Sequence, residues 1–280
     1  MDSDNALGTF LRARREAVDV ATTGIVHVGR RRTPGLRREE VAALAGVSTD
    51  YYVRLEQGRE RGPSEQVVDA PARALRLGDD AAEHLRRLAR PAPRRRSPVR
   101  RAERVSPLLV QMMQSWDRQP AVVLGRYMDI LAANTLGAAL FDGPERNLLR
   151  LLFLDSAGRT FYPDWEQAAR NTVASLRSCA GDDPGDPALV SLVGELSLRS
   201  QDFARLWARH EVRRKSTEAK RFRHRAVGEL VLSYESLTVN SAPGQQLVVY
   251  QAEPGSATEQ ALCLLGSLAA GRAEPEDEPR

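Results

Sequence analysis

The first ninety residues carry apolar positions at helical spacing. Leu7, Phe10, Leu11 and Arg14 recur every three to four residues, which predicts an amphipathic helix with arginines beside one apolar stripe. The same signature predicts helices for LRREEVAALAG, TDYYVRLEQ, EQVVDAPARALRL and DDAAEHLRRLAR, with Gly46 and Gly58 as stop signals and Ser48 and Ser64 as N-caps. This part of the chain is predicted to be entirely helical.

From residue 106 onward, some segments have the apolar spacing of helices and others have the alternation of strands. AVVLGRYMDILAAN predicts a β-hairpin, and KRFRH, GELVLSYESLTV and QQLVVYQAE predict three strands. Alternation puts Arg221 and Arg223 on one face of their strand and Phe222 and His224 on the other. Helices are predicted for SPLLVQMMQSW, RNLLRLLFLD, residues 164–179, two segments within 187–212, and ATEQALCLLGSLAA. The predicted fold class is a multidomain protein, with an all-α N-terminal domain and an α/β C-terminal domain.

Charge divides the chain in the same place. Residues 1–104 hold 22 arginines against 15 acids, whereas the remainder is mildly acidic. Residues 90–104 hold seven arginines and three prolines without apolar period, which indicates a linker. The predicted domains are 5–90, a linker at 91–105, a second domain at 106–270 and a disordered tail at 271–280. A basic segment joined to an acidic one is typical of a nucleic-acid-binding module tied to another domain.

Other protein classes find little support in the sequence. There is no apolar run of membrane-spanning length and no signal-peptide pattern at the N-terminus, so we expect a cytoplasmic protein without membrane contact. Cys179 and Cys263 make neither a metal spacing nor a disulfide framework, and we expect two buried thiols. No nucleophile elbow, phosphate loop or HExxH motif occurs, so neither enzymatic activity nor a cofactor or metal is predicted.

Residues 37–59 carry the most informative pattern. Ala42, Ala45 and Gly46 are small, which lets two helices pack closely across a short turn. We expect the shared core to be formed by Val41, Leu44, Val47, Tyr52 and Leu55. The outward positions are polar: Arg38, Thr49, Asp50, Arg54 and Gln57. Because an ordinary helical hairpin does not require that polar face, the arrangement favours a helix-turn-helix that binds DNA.

The same residues carry a family resemblance. GRRRTPGLRREEVAALAGVSTDYYVRLEQGR and PSEQVVDAPARALRL resemble the XRE-type helix-turn-helix domain, and more narrowly the MmyB-like regulators. RNLLRLLFLD, YPDW, LVGELS, LWARHEV and LVVYQAEPGS resemble the PAS-like (MLTR-type) ligand-binding domain of that family. The resemblance implies a transcriptional regulator with an antiparallel sheet in a sensor domain like those that bind fatty acids. The chain departs from the family at Pro71, where we expect a kink at Ala70, and at Met128 and Ala133 in place of bulky aromatics.

DNA contacts are predicted in and around the second helix of the motif. Arginines in the loop 30–32 are expected to bind phosphates or the minor groove, the alternative being a solvated loop. The resemblance implies a phosphate contact for Arg38. Asp50 either accepts from cytosine or stabilises the helix start, and Arg54 either binds guanine or pairs with Asp50. The predicted contacts are Arg30, Arg31, Arg32, Arg38, Ser48, Thr49, Asp50, Arg54, Gln57 and Arg59.

A ligand site is predicted in the C-terminal domain, because RNLLRLLFLD and DFARLWARH hold more large apolar side chains than one helix face needs. We expect a wall of Tyr127, Leu149, Phe153, Phe203 and Trp207. An anionic amphiphile needs a cation near the apolar wall, and His210, Arg221 or His224 would supply it. The alternative is that these residues are surface charges and that His224 has a structural role. The expected partners are duplex operator DNA, a second copy of the chain in a homodimer, and a fatty-acid-like effector. Two alternatives stay open for this domain: a ligand-free dimerisation or interaction module, and an enzyme acting on a lipid-like substrate.

Overall fold

The structure is a computed structural model of the 280-residue chain. It describes residues 5–23, 25, 35–60, 62–90, 103–180, 183, 185–211 and 219–273. The chain divides into two compact units. The first comprises Met1–Arg96 with Val173–Arg214, and the second comprises Ser97–Thr172 with Lys215–Arg280. The predicted linker lies outside the described residues as far as residue 102, and so do Arg30, Arg31 and Arg32.

The amino-terminal segment of the first unit is helical wherever it has regular structure. Its helices are α1 (Ala6–Ala17), α2 (Arg38–Ala45), α3 (Thr49–Glu56), α4 (Glu65–Ala74) and α5 (Asp79–Ala89), with a 3₁₀ turn at Val20–Thr22. The helices predicted for this segment are confirmed. Buried apolar side chains from all of them meet in one core, among them Phe10, Leu11, Val41, Tyr52, Leu55, Val68 and Leu85.

A tight turn joins α2 to α3. Gly46 ends α2 in the left-handed region with φ of 67°, where a residue with a Cβ atom is strained. The next residue, Val47, donates its backbone N–H to the carbonyl of Ala42 at 3.0 Å. Ser48 then caps α3, because its side-chain oxygen accepts the backbone N–H of Tyr51 at 3.1 Å. The chain therefore reverses within three residues and brings α2 against α3.

The core position predicted for Leu44 is wrong, since 42% of this residue is exposed. The buried face of α2 is centred between Val41 and Ala42. At about 100° per residue, Leu44 is turned about 110° from that centre. The small residue Ala45, which lies closer to the buried face, packs against the core in its place.

Helix α4 continues through Pro71, which is buried. A proline at this position leaves the carbonyl of Val67 without its helical N–H partner. At the end of the helix the carbonyl of Pro71 accepts the N–H of Leu75 at 2.9 Å. The kink expected at Ala70 stays a prediction.

The first unit also contains three helices from later in the chain. They are the part of α10 (Trp165–Ala180) that follows Thr172, α11 (Pro187–Arg199) and α12 (Gln201–Ala208). Arg87 on α5 donates from Nη2 to Ser178 Oγ on α10 at 3.0 Å, and the Phe10 and His210 rings lie 6.4 Å apart. Part of the predicted 106–270 domain thus belongs to the same compact unit as the amino-terminal helices, and the domain boundaries remain predictions.

A five-stranded antiparallel sheet organises the described part of the second unit. Its strands are β1 (Ala121–Leu124), β2 (Ile130–Ala133), β3 (Ala219–His224), β4 (Gly228–Thr238) and β5 (Gln246–Ala252), in the spatial order β2-β1-β5-β4-β3. The predicted hairpin and three strands are confirmed. So is the alternation along β3, where Phe222 and His224 are buried while Arg221 and Arg223 are exposed.

Helices surround this sheet. They are α6 (Pro107–Gln114), α7 (Thr135–Leu140), α8 (Leu148–Phe153), α9 (Gly158–Phe161) and α13 (Ala257–Ala273). The sequence did not predict α7 and α9, which have only six and four residues. Cys263 on α13 is exposed and Cys179 is half-buried, so the prediction of two buried thiols is wrong. Helix α13 runs past 271, where the disordered tail was expected to begin. The rest of that predicted tail lies outside the described residues.

Aromatic side chains fill one face of the sheet. Phe141, Phe161, Tyr162, Phe222 and Tyr250 form a cluster in which neighbouring ring centroids lie 4.9 to 6.2 Å apart. Burial raises the pKa of the Tyr162 hydroxyl. The opposite face packs against α6 through Met113. The predicted fold class, a helical N-terminal region followed by an α/β region with an antiparallel sheet, is confirmed.

Candidate functional site

Helix α3 presents a polar face to solvent. Ser48, Thr49, Asp50, Arg54, Gln57 and Arg59 are all exposed, while Tyr52 and Leu55 on the opposite side are buried in the core. Arg38, at the start of α2, is exposed as well. Seven of the ten predicted DNA contacts therefore lie exposed on or beside α2 and α3. The other three, Arg30, Arg31 and Arg32, lie outside the described residues. Whether any of the ten contacts DNA stays a prediction.

A buried carboxylate lies behind this face. Glu56 is fully buried, and its Oε1 accepts from Arg15 Nη2 at 3.0 Å and from Arg38 Nη2 at 3.0 Å. Arg15 adds a bond from Nε to Oε2 at 3.1 Å and donates from Nη1 to the carbonyl of Leu36 at 2.8 Å. Arg12 Nε lies 3.4 Å from Glu56 Oε1. Glu56 thus joins α1, α2 and α3 through charge-assisted hydrogen bonds.

These bonds set the ionisation of Glu56. Burial alone would raise the pKa of its carboxyl, but the hydrogen bonds from Arg15 and Arg38 outweigh burial and lower the pKa. Glu56 is therefore a carboxylate at neutral pH, and it fixes the guanidinium of Arg38 at the start of α2. Since 42% of the Arg38 side chain remains exposed, the predicted phosphate contact is sterically open.

Arg54 has a different partner from the one expected. Its Nε lies 3.5 Å from Glu60 Oε2, and its guanidinium carbon lies 5.6 Å from the ring centre of Tyr51. The predicted alternative, an ion pair between Arg54 and Asp50, is wrong. The chain after α3 brings Glu60 to Arg54 instead. Half of the Arg54 side chain is exposed, so the pair with Glu60 is weak and open to exchange for another partner.

Sequence reasoning missed Val53 and Glu56. Val53 is partly exposed and lies between Thr49 and Gln57 on the outward face of α3, where an apolar side chain suits contact with a thymine methyl group. Glu56 had a detectable signal, because it follows Tyr52 by one helical turn and therefore falls on the core side. An acid at such a position requires a buried basic partner, which Arg15 supplies.

The predicted ligand-wall residues are divided between the two units. Tyr127, Leu149 and Phe153 belong to the second unit, where Phe153 packs against Trp165 with ring centroids 5.7 Å apart. Phe203 and Trp207 belong to the first unit and stack on each other at 5.8 Å. The wall as a whole stays a prediction.

The three predicted cations have different surroundings. Arg221 is exposed, with Asp164 at 3.4 Å and Glu229 at 3.7 Å. His224 is buried: the backbone N–H of Ala226 donates to its Nδ1 at 3.2 Å, so its Nε2 carries the proton and donates to the carbonyl of Ala139 at 3.0 Å. These contacts match the alternative interpretations of a surface charge and a structural histidine.

His210, the third predicted cation, is half-buried beside Arg177. Burial, reinforced by the charges of Arg177 and Arg14, lowers the pKa of His210 to about 3. The imidazole is therefore neutral at physiological pH, and the nearby cation is Arg177, which sequence reasoning missed.

The second unit contains a cavity of about 730 Å³ at one end of the sheet. Its apolar lining includes Trp116, Leu136 and Leu262, and Arg118 and Glu259 form an ion pair of 2.9 Å at its edge. This volume falls within the usual range for small-molecule sites. A second cavity of about 240 Å³ is lined in part by His224. Apart from His224, none of the predicted ligand residues lines either cavity.

Among the described residues, no helix is long and apolar enough to cross a bilayer. The described residues also contain no cluster of three or more histidine, cysteine, aspartate or glutamate side chains suited to a metal ion.

Two family models match the chain. The first, described as the MmyB-like transcription regulator ligand binding domain, matches residues 105–265. The second, described as a helix-turn-helix domain, matches residues 6–85. No curated protein matches the chain.

Proposed function

The chain belongs to the family of MmyB-like transcription regulators, and from this premise we propose that a fatty-acyl-like small molecule controls its binding to an operator. The protein is a DNA-binding transcription regulator with a ligand-binding domain. The observation that supports the DNA-binding mode best is the division of α3 into a buried apolar side and an exposed polar side.

In the proposed mode, α3 enters the major groove. Thr49, Asp50, Arg54 and Gln57 face base edges, and Arg38 binds a phosphate from the start of α2. One short recognition helix covers only a few base pairs. We therefore propose a homodimer that binds a two-fold symmetric operator.

The DNA-binding mode is tested with an operator selected from random duplexes. Arg54→Ala is expected to weaken operator binding by roughly 1–3 kcal/mol and to relax the preference at one base position. Arg38→Ala is expected to weaken operator and scrambled duplexes alike, because a phosphate contact carries no sequence information. Arg199→Ala is the matched control, since Arg199 is an exposed arginine paired with Glu195 on α11. Unchanged operator affinity of the Arg54 variant would refute the mode.

The proposed effector is hydrophobic or amphipathic. Membership of a ligand-binding family supports an effector, and the apolar part of the 730 Å³ cavity supports an acyl chain. The predicted wall of Tyr127, Phe153, Phe203 and Trp207 remains the other candidate location. A sensor must bind its effector differently in two states, so the effector should change the affinity for DNA.

Mass spectrometry of small molecules extracted from the purified protein tests this proposal, followed by thermal shifts across acyl chain lengths. A bound effector raises the melting temperature by mass action. Cys263→Trp would occupy part of the cavity and reduce the shift if the effector binds there, whereas Leu264→Trp is the control because Leu264 does not line the cavity. A shift that is unchanged in Cys263→Trp would favour the predicted wall. Absence of both an extracted molecule and a thermal shift would refute the effector.

A second candidate function for the C-terminal domain is that of a ligand-free dimerisation module. The aromatic cluster around Phe222 and Tyr250 favours it, because closely packed rings occupy one face of the sheet. Light scattering of the full chain would distinguish the candidates: a stable dimer without any thermal shift supports the module.

A further inference from the structure

The first unit buries an arginine that has no carboxylate partner among the described residues. Arg177 is 6% exposed, and its Nη1 donates to His210 Nδ1 at 3.0 Å while its Nη2 donates to the carbonyl of Trp207. The guanidinium carbon lies 3.8 Å from the centre of the Trp207 ring. All of these partners are neutral groups, so no negatively charged side chain among the described residues contacts Arg177.

The two neighbouring histidines are neutral as well. An arginine can only donate, so His210 Nδ1 must accept and the proton of His210 resides on Nε2. His210 adopts a left-handed backbone with φ of 52°, which is uncommon for a residue other than glycine. His84 on α5 is buried, and burial, reinforced by Arg87, Arg177 and His210, lowers its pKa to about 3.

Several nitrogen atoms here also lack hydrogen-bond partners. Arg14 Nε, His84 Nδ1 and Arg177 Nε are buried and have no partner among the described residues. Burial lowers the pKa of Arg14, and Glu211 is the acid that opposes this effect. Buried cations and buried N–H groups in native proteins normally have an acceptor, which is a carboxylate, a water or a bound anion.

We propose that Arg14, His84, Arg177 and His210, called here the Arg177 cluster, bind a small oxyanion, either a carboxylate or a phosphate. Guanidinium groups match the geometry of both anions, and arginine N–H groups without acceptors supply donors. Arg14 and His210 are only half-buried, so the cluster is open to solvent on their side while Arg177 forms its base. The site goes beyond the proposed function and does not depend on it.

The proposed anion site joins helices from both family matches. Arg14 and His84 lie on α1 and α5, within the helix-turn-helix match, whereas Arg177 and His210 lie within the ligand-binding match. An anion bound to both pairs offsets the charge of Arg177 and stabilises the packing of α10 and α12 against α1 and α5. Its presence would therefore favour one arrangement of the DNA-binding helices.

The test is the melting temperature of the full chain, titrated with acetate, phosphate and decanoate against chloride at equal ionic strength. The expected result is a saturable rise for the wild-type chain. In Arg177→Gln the apparent dissociation constant should rise about tenfold or more, because a charge-assisted hydrogen bond is lost. Arg170→Gln is the matched control, since Arg170 lies on the same helix but has 40% of its side chain exposed and is paired with Glu166. It should respond as the wild-type chain does.

The three anions distinguish a free anion from the head group of an amphiphile. A response to acetate or phosphate identifies a free anion, and a response to decanoate alone identifies the head group of an amphiphile. If Arg177→Gln does not fold, Arg14→Gln provides the same test at the half-buried edge of the cluster. Equal responses of the wild-type chain and these variants, or no response to any anion, would overturn the proposal. If decanoate is the only anion that gives a response, and that response is unchanged in Arg177→Gln, the proposal is overturned too, while the proposed effector stays intact.

Discussion

Replacement of Glu56 by glutamine removes the negative charge that holds α1, α2 and α3 together. The side chain keeps nearly the same volume, so the change acts on electrostatics rather than on packing. Arg15, which is 7% exposed, loses its buried ionic partner and keeps only the longer contact of its Nη2 with Glu16 Oε1 at 3.5 Å. Arg38 is affected less, because 42% of its side chain is exposed and water can solvate it.

The expected cost follows from that difference in burial. Removal of one partner from a buried ion pair destabilises a protein by about 3–5 kcal/mol, since the remaining charge has no compensation. An exposed pair contributes only about 0–1 kcal/mol. Glu60→Gln removes the partner of the half-exposed Arg54 and is therefore the matched control, which should cost less than about 1 kcal/mol. Domains are stable by about 5–15 kcal/mol, so Glu56→Gln should remove a large part of the stability of the first unit.

Urea denaturation followed by far-ultraviolet circular dichroism measures both variants. The effect should also depend on pH. The pKa of Glu56 lies below its ordinary value of 4.5, so its stabilisation is complete above pH 4.5 and is lost as the pH falls through the lowered pKa of the folded state. The difference between wild type and Glu56→Gln should therefore shrink below pH 4.5. A loss similar to that of Glu60→Gln at pH 7 would refute the reasoning.

Two other predictions concern packing. Gly8→Ala should destabilise the first unit, because an added Cβ overlaps the carbonyl of Glu56. Gly78→Ala is the control and should be tolerated, because nothing lies within 4 Å of its added Cβ. Thermal melts of the two variants measure the difference. Phe222→Ala should cost about 3–5 kcal/mol, since Phe222 is fully buried in the aromatic cluster, while Leu44→Ala should change stability by less than about 0.5 kcal/mol. Equal urea midpoints for the last two variants would contradict the assignment of buried and exposed positions.

Periodicity predicted the elements that are long enough to express it. On α3, the period of about 3.6 residues separated Tyr52 and Leu55 from the exposed Asp50 and Arg54. On β3, alternation placed Phe222 in the core. Both patterns arise because one side of the element packs against the core while the other is solvated. Short helices such as α7 and α9 complete at most two turns, so their sequences carry no such pattern.

The electrostatic partners were less predictable than the elements. Arg54 pairs with Glu60 through the path of the chain after α3, and Arg177 meets His210 from a different helix. Such pairings depend on distances in the folded chain that spacing in the sequence does not encode. Glu56 is the exception, because an acid on the core side of a helix already requires a buried base.

The strand order β2-β1-β5-β4-β3 has a consequence for synthesis on the ribosome. The strand at the centre of the sheet, β5, is the last to be made, and about 120 residues separate Leu124 from Gln246. At 5–20 residues per second, β1 waits roughly 6–24 s with one apolar edge unpaired. The β3–β4 hairpin is complete only at Thr238, shortly before β5 begins, so the β1–β2 hairpin is the one that waits. An exposed strand edge promotes aggregation. Nascent chains that have not yet reached Gln246 therefore lack the strand that joins the two hairpins.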